Sequence, residues 1–151
     1  MTNDIKNESI KVRNRTPDEL YTRKIEFLKI CQILDSLKIE YYLQTGILLG
    51  AIRDNDLIPW DWDIEISVFS NKFYPHIDIV AKHLKKNNFI IKNIVKKKSE
   101  LKIDFIGKYP DDVTGYTIFG WNYSLINDQY WRKEFIIPSK FLNRFSKINF
   151  F

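Results

Sequence analysis

The spacing of apolar residues predicts a long amphipathic helix near the start of the chain. From Pro17 to Lys38, apolar side chains recur every three or four positions, as they do on one face of a helix. Thr16 is suited to the N-cap, Pro17 fits the first helical position, and Glu19 completes a capping box. Cys31 falls on the apolar stripe with no activating base near it in sequence, so we predict a core residue rather than a nucleophile.

A short strand and two further helices are predicted before residue 90. The run from Glu40 to Gln44 is typical of a strand, and a short helix is expected from Ile47 to Ile52. Pro59 prevents that helix from continuing. Apolar residues recur on one face again from Lys72 to Asn87, which predicts a second long helix.

The second half of the chain predicts a hairpin followed mainly by loops. Strands are expected over residues 88–95 and 101–108, joined by a lysine-rich turn. From Tyr109 onward, glycine, proline and aromatic residues predict loops. A short strand is expected at residues 135–137 and a helical turn at residues 140–144.

One predicted strand carries an acid at every second position. Residues 61–69 read DWDIEISVF, so Asp61, Asp63 and Glu65 alternate with apolar or aromatic residues. On a strand, this pattern directs the acids to one face and the apolar residues into the core. Neighbouring carboxylates repel each other unless a cation or a proton compensates. The pattern therefore indicates a ligand, most simply a divalent metal.

A further acid, Asp104, lies among the apolar residues of LKIDFIG. A carboxylate in such a strand is costly to bury without a partner. It could simply point to the solvated face of the sheet. We favour a role in the site, because two acids on one strand and a third on a neighbouring strand can hold Mg²⁺ or Mn²⁺ through oxygen ligands.

The segment before the acidic strand has features suited to binding an anion. Gly46 allows the backbone to approach a phosphate, and a helix that begins there would present free N–H groups. Arg53 could make a bidentate phosphate contact, or it could form a salt bridge with Asp54, Asp56 or one of the strand acids.

Composition and charge narrow the class of protein. The chain has 151 residues, of which 44% are hydrophobic, which is enough for a core; we predict a mobile arm at residues 1–15 and one domain at 16–151. The net charge of +5 suits an anionic partner, although no clear nucleic-acid motif is present.

A single cysteine rules out an intramolecular disulfide framework. Without an apolar leader or a membrane-length apolar run, the expected location is cytoplasmic.

Aromatic residues are concentrated in the last third of the chain. Trp121, Tyr123, Tyr130 and Trp131 could line a pocket for a base or a sugar, since aromatic faces stack on such groups. Packing at the edge of a small domain explains them equally well.

Two linked motifs resemble those of a known family. The run from Gly46 to Arg53 reads GILLGAIR, and the run from Ile58 to Glu65 reads IPWDWDIE. Together they closely resemble the LicD and fukutin-related family, whose members typically read G-T-L-L-G-x-x-R and then I-P-W-D-x-D-x-D. The later LKIDFIG fits the family's order of elements, and FIIPSKFLNRF is similar to its C-terminal segment. The resemblance covers about residues 17 to 145.

The resemblance implies an α+β fold with a nucleotidyltransferase-like mixed sheet flanked by helices. Members of the family transfer phosphocholine, ribitol phosphate or similar phospho-groups from CDP-linked donors to glycans, which implies a Mg²⁺ or Mn²⁺ site. The residues that would be catalytic and hold the metal are Asp61, Asp63, Glu65 and Asp104. Those expected to contact the substrate are Gly46, Ile47, Gly50, Arg53 and Trp60. Asp63 and Glu65 are the strongest pair. Ile47 stands where the family usually has threonine or serine, and Glu65 where it has aspartate.

Two other functions remain open from the sequence. The chain could be a small nucleotidyltransferase that moves NMP to a protein or an RNA. It could also be a degenerate fold kept as a non-catalytic binding module with a basic surface.

Overall fold

A computed structural model of the chain describes residues 13–108, 115–133 and 135–138. Three predictions lie wholly or partly outside these ranges: the arm before residue 13, the loop at residues 110–112 and the helical turn at residues 140–144.

The first helix confirms the prediction from local signals. Helix α1 spans Pro17–Ser36, slightly shorter than predicted. The Thr16 hydroxyl accepts a hydrogen bond from the Glu19 backbone N–H at 3.2 Å, and the Glu19 carboxylate accepts one from the Thr16 N–H at 2.7 Å. This reciprocal pair satisfies two of the backbone donors that a helix leaves unpaired at its N-terminus. Cys31 is buried in the core, as predicted.

The other elements follow the predicted order up to residue 106. In chain order they are β1 (Tyr41–Leu43), α2 (Thr45–Arg53), β2 (Asp63–Phe69), α3 (Ser70–Phe73), a 3₁₀ turn (Tyr74–His76), α4 (Ile77–Lys86), β3 (Ile90–Lys97), β4 (Glu100–Ile106), β5 (Gly115–Ser124), β6 (Gln129–Arg132) and β7 (Phe135–Pro138). The helix predicted from Lys72 to Asn87 is divided, because Pro75 lies in the 3₁₀ turn and cannot donate a helical hydrogen bond.

The prediction of loops around Gly115 and Gly120 is wrong, because both glycines belong to β5, an interior strand of the sheet. The order is β1-β2-β5-β4-β3, with β6 paired to β5 and β7 to β6. Strand β5 runs parallel to β2 and antiparallel to β4. The glycines of β5 were expected to form turns, but Gly120 allows close packing against α3 and β4. A Cβ at this position would lie 2.5 Å from Ser70 Oγ and 3.0 Å from Leu101. Tyr116 and Ile118, on alternate positions, are buried.

The core lies between one face of this sheet and the helices. Apolar residues of α1, α2, α3 and α4 form one cluster with alternate residues of β2, β4 and β5. The predicted architecture, a mixed sheet flanked by helices, is confirmed. Among the described residues, the helices lack the combination of length and apolar character that crossing a bilayer requires.

Residues 13–15, which belong to the predicted mobile arm, contact the rest of the domain. The Arg15 backbone N–H donates to the Pro59 carbonyl at 2.8 Å, and the Arg15 side chain is buried. Arg13 forms a 2.6 Å ion pair with Glu19. The segment therefore joins the start of α1 to the loop before β2.

We expect Gly50→Ala to lower stability by about 1–3 kcal/mol, even though alanine is the better helix former. The added Cβ would lie 2.4 Å from the Asp56 carbonyl oxygen, a backbone atom that the chain cannot easily move. Gly46→Ala is the matched control in the same helix. Its Cβ would meet the Asp61 carboxylate, whose side chain can rotate away.

Urea denaturation of the two variants and the parent chain measures the difference. A Gly50→Ala protein as stable as Gly46→Ala would show that the turn after α2 is not closely packed.

Candidate active site

The alternation of β2 separates the acids from the core. Ile64 and Ile66 are buried, whereas Asp63 and Glu65 lie half-buried on the opposite face of the strand. The strand begins at Asp63, so the prediction that it starts at Asp61 is wrong. Asp61 belongs to the preceding turn, where its backbone N–H donates to the Ile58 carbonyl at 3.1 Å.

Asp61 packs directly against the first turn of α2. A Cβ added at Gly46 would lie 1.8 Å from Asp61 Oδ2, so only glycine permits this approach. Helix α2 begins at Thr45, which has a φ of 55°. A carboxylate next to the positive end of a helix dipole is favourably placed. The group that approaches Gly46 is thus a carboxylate of the chain itself.

Glu65 contacts two residues that the sequence did not single out. The Thr45 hydroxyl donates to Glu65 Oε2 at 2.9 Å, which joins the start of α2 to β2. On the other side, the guanidinium of Arg132 lies 3.9 Å from Glu65 Oε1. Glu65 therefore lies between α2 and the end of β6.

Asp104 is not on a strand next to β2, contrary to the prediction. Strand β5 intervenes, and its Thr117 is the register partner of both Glu65 and Asp104. The three residues form a row across one face of the sheet, with Glu65 and Asp104 separated by two strand spacings, about 10 Å. Asp104 accepts a 3.0 Å hydrogen bond from Thr117 Oγ1 and lies 2.9 Å from Lys102 Nζ.

Partial burial and neighbouring negative charge raise the pKa of two of these acids, Asp61 and Asp63. Partial burial raises the pKa of Asp63 to about 6, with further contributions from the charges of Glu65 and Asp61. Burial also raises the pKa of Asp61. The positive charge of Arg23 opposes both shifts. A bound cation would favour the ionised forms in the same way.

Two buried arginines lie behind these acids. Arg23, on the inward face of α1, is 4% exposed, and its guanidinium donates to the Trp62 carbonyl at 3.4 Å. Arg15 also lowers the pKa of Asp61. The loop that carries Asp61 is therefore held over two fixed positive charges.

The oxygen atoms of the Asp61, Asp63 and Glu65 carboxylates and of the Thr45 hydroxyl are the type of ligand that a hard divalent cation prefers. Within the described ranges, no three Asp, Glu, His or Cys side chains are already grouped closely enough to hold a metal ion. The charges of Asp61 and Glu65 both raise the pKa of Asp63, whereas the closest contacts of Asp104 are with Lys102 and Thr117.

The residues predicted to contact substrate differ in their surroundings. The Ile47 side chain is 3% exposed and packs in the core, which leaves only its backbone to face a ligand. Gly50 is buried against the turn at Asp56. Arg53 pairs with Asp54 at 2.6 Å, the salt-bridge alternative for this residue, and lies 5.8 Å from the ring of Trp60. Trp60 is 49% exposed.

Trp121 and the two tyrosines Tyr123 and Tyr130 differ in their surroundings. Trp121 is 2% exposed, and its indole N–H donates to Ser67 Oγ at 3.0 Å, so packing explains it. Tyr123 and Tyr130 contact each other at 5.0 Å between ring centroids, and Tyr130 contacts Phe69 at 5.3 Å. Phe69, Tyr130 and Tyr123 therefore form a continuous series of ring contacts.

Arg23, Thr45 and Arg132 are the site residues that sequence reasoning missed. Arg23 could have been found, because it occupies a position on the apolar stripe of α1 where a charged residue is unexpected. Thr45 precedes Gly46, but its contact with Glu65 depends on how β2 lies against α2. No pattern in the sequence indicated a role for Arg132, because the segment that contains it was expected to be a loop.

Comparison with known proteins supports the motif resemblance. The domain described as "LicD/FKTN/FKRP, nucleotidyltransferase domain" matches residues 38–151, which is more than half of the chain. The chain is 40% identical to the human and mouse "Ribitol 5-phosphate transferase FKRP" over 37 residues, or 24% of this chain and 8% of theirs. It is 36% identical to the "Lipopolysaccharide cholinephosphotransferase LicD" of Haemophilus influenzae over 47 residues, or 31% of this chain and 18% of that protein.

The alignments with these relatives thus span less than a fifth of their length. Among solved structures, the antibiotic-resistance factor ANT(2'')-Ia has a similar fold, with a TM-score of 0.52 and 10% sequence identity. That match covers 76% of this chain and 54% of the other. The motifs, the acid-bearing β2 and the match over residues 38–151 lead to one conclusion: the chain belongs to the LicD/FKTN/FKRP family and carries its nucleotidyltransferase domain.

Proposed function

We propose that this domain transfers a phospho-group, such as phosphocholine or ribitol phosphate, from a CDP-activated donor to a glycan. Membership of the family supports this class of reaction, and the names of the FKRP and LicD relatives describe two of its versions. The basic net charge of +5 is compatible with an anionic donor.

One observation carries the proposal: Asp63 lies partly buried next to the negative charges of Glu65 and Asp61, so its own ionisation is costly. Partial burial and the Glu65 and Asp61 charges raise the pKa of Asp63 to about 6. Carboxylates with perturbed pKa values cluster at functional sites, where burial and like charges are arranged to shift them. A divalent cation would relieve the repulsion without changing the fold.

We assign Asp63 and Glu65 as the principal metal pair, with Asp61 beside them at the start of α2. Mg²⁺ or Mn²⁺ bound there would neutralise negative charge that develops on the phosphate oxygens and the leaving group. The Thr45 hydroxyl orients Glu65 through its 2.9 Å hydrogen bond. Arg23 holds the loop of Asp61 and Asp63 from behind.

In the proposed reaction, an acceptor hydroxyl attacks the phosphorus that carries the transferred group. The new P–O bond replaces the bond to CMP, and the hydroxyl proton passes to a carboxylate. Asp104 lies on the same face as Glu65 and is the candidate third acid, either as a further metal ligand or as the proton acceptor.

We expect the purified chain to release CMP from CDP-choline, CDP-ribitol or CDP-glycerol when Mn²⁺ and a suitable glycan are present. Asp63→Asn should lower the rate at least about 100-fold and weaken Mn²⁺ binding at least about 10-fold, because it removes a charged ligand. CMP release is followed by chromatography, and Mn²⁺ binding by calorimetry.

The variant Asp104→Asn distinguishes the two roles proposed for Asp104. Loss of Mn²⁺ affinity identifies a metal ligand, whereas a lower kcat with unchanged Mn²⁺ affinity identifies the proton acceptor. If no donor yields CMP and Asp63→Asn leaves Mn²⁺ binding unchanged, the proposal fails. Transfer of label from an NTP to a protein or an RNA would favour nucleotidyl transfer instead.

Asp63→Asn should also stabilise the metal-free protein at pH 8. The folded state raises the carboxyl pKa from 3.8 to about 6, so ionisation between these values favours the unfolded chain. The expected gain is absent near pH 4 and reaches about 1 kcal/mol above pH 7, after allowance for solvent screening at this half-buried site.

Urea denaturation with EDTA at pH 4, 6 and 8 measures this gain. Asp78→Asn is the control, because Asp78 is exposed and forms a surface ion pair with Lys96. Equal effects of the two substitutions at pH 8 would contradict the electrostatic account of the site.

A further inference from the structure

A cavity of about 430 Å³ lies beside Glu65, on the polar side of the sheet. Thr45 and Glu65 line one part of it, and Lys102, Phe119, Arg132 and Lys133 line another. Its volume falls within the range of about 300–1,000 Å³ that is common for small-molecule sites. It is therefore large enough to hold part of a substrate next to the candidate metal pair.

The charge of the cavity favours an anion. Three cations, Lys102, Arg132 and Lys133, line it together with two acids, Glu65 and Glu100. If Glu65 shares a divalent cation, as the proposed function requires, positive charge predominates. Phosphate groups are the anions that such an arrangement of a metal, lysine and arginine commonly binds.

Arg132 is the best placed of these cations. Its side chain is 8% exposed, and its guanidinium carbon lies 3.7 Å from the centroid of the Phe119 ring and 5.1 Å from that of Trp121. Stacking of this kind holds the planar guanidinium in one orientation, which favours bidentate contact with a phosphate. The Lys133 backbone N–H donates to the Ser99 carbonyl at 3.0 Å, which fixes the end of β6 over the sheet.

We propose that Arg132 binds a phosphate group of the substrate in this cavity, next to the metal pair of Asp63 and Glu65. The proposal rests on the proposed function for the presence of that metal and deepens it, because it names the residue that receives the phosphate. The phosphate can belong to a nucleoside diphosphate or to another phosphorylated substrate, and the two are separated by the choice of probe.

The test measures binding of CDP and of inorganic pyrophosphate in the presence of Mg²⁺ by calorimetry. Arg132→Gln should weaken binding of CDP by about 10–100-fold, because a charge-assisted bidentate contact is lost. Arg132→Lys keeps the charge without the planar fork and should weaken it by about 5–10-fold. A comparable loss for pyrophosphate supports the proposal, because pyrophosphate offers Arg132 phosphate groups alone, whereas a loss confined to CDP indicates a contact with the ribose or the base and would overturn it. Tighter binding of CDP than of pyrophosphate by the parent chain identifies a nucleoside diphosphate as the source of the phosphate.

Lys92→Gln is the matched control, because Lys92 is exposed on β3 and its substitution removes the same charge. It should leave CDP binding within about 2-fold of the parent chain. Arg132 is buried, so circular dichroism and thermal melting confirm that each variant is folded, and Arg132→Lys decides the test if Arg132→Gln does not fold.

Mn²⁺ binding in the absence of nucleotide distinguishes a phosphate-binding residue from one that only orients Glu65. The proposal requires Mn²⁺ affinity to change by less than about 3-fold in Arg132→Lys, since the ion pair with Glu65 keeps its charge. Unchanged CDP affinity, or losses of Mn²⁺ and CDP affinity in equal measure, would overturn it.

Failure of this inference differs from failure of the proposed function. If CDP binding depends on Arg132 but no donor releases CMP, the phosphate site stands and the proposed reaction fails. If CMP release depends on Asp63 while Arg132→Lys keeps the KM of the parent chain, the reaction stands and Arg132 is not the phosphate-binding residue.

Discussion

The period-two alternation of β2 is the constraint on which the site depends. Ile64, Ile66 and Val68 pack into the core, so hydrophobic burial determines the register of the strand. A shift of one residue would expose these side chains and bury Asp63 and Glu65, at a large cost in free energy. The same packing that stabilises the fold therefore holds two carboxylates side by side on the opposite face.

The fold compensates this repulsion only in part. Buried Arg15 and Arg23 lie behind the loop before β2, and Arg132 lies on the far side of Glu65. Even with these charges, the pKa of Asp63 stays raised. A site in which carboxylate charges are costly can gain stability from a bound cation, and such a cost at a site is the usual compromise between stability and function.

Strand β5 links the site to the rest of the sheet. It carries Thr117 into the row between Glu65 and Asp104, and it continues into the hairpin that brings Arg132 over Phe119. The candidate metal pair and the proposed phosphate-binding arginine thus belong to different strands, and β5 determines the distance between them.

The sequence by itself determined the elements whose signals are local. The capping box begins α1 at the expected place, and the alternation of acids and apolar residues identified β2 and its acid-bearing face. The motifs identified the family. Only the tertiary structure decided that β5 separates β2 from β4, that Trp121 belongs to the interior and that Arg132 reaches Glu65. Strand pairing and burial depend on contacts between distant residues, which periodicity within a short window does not encode.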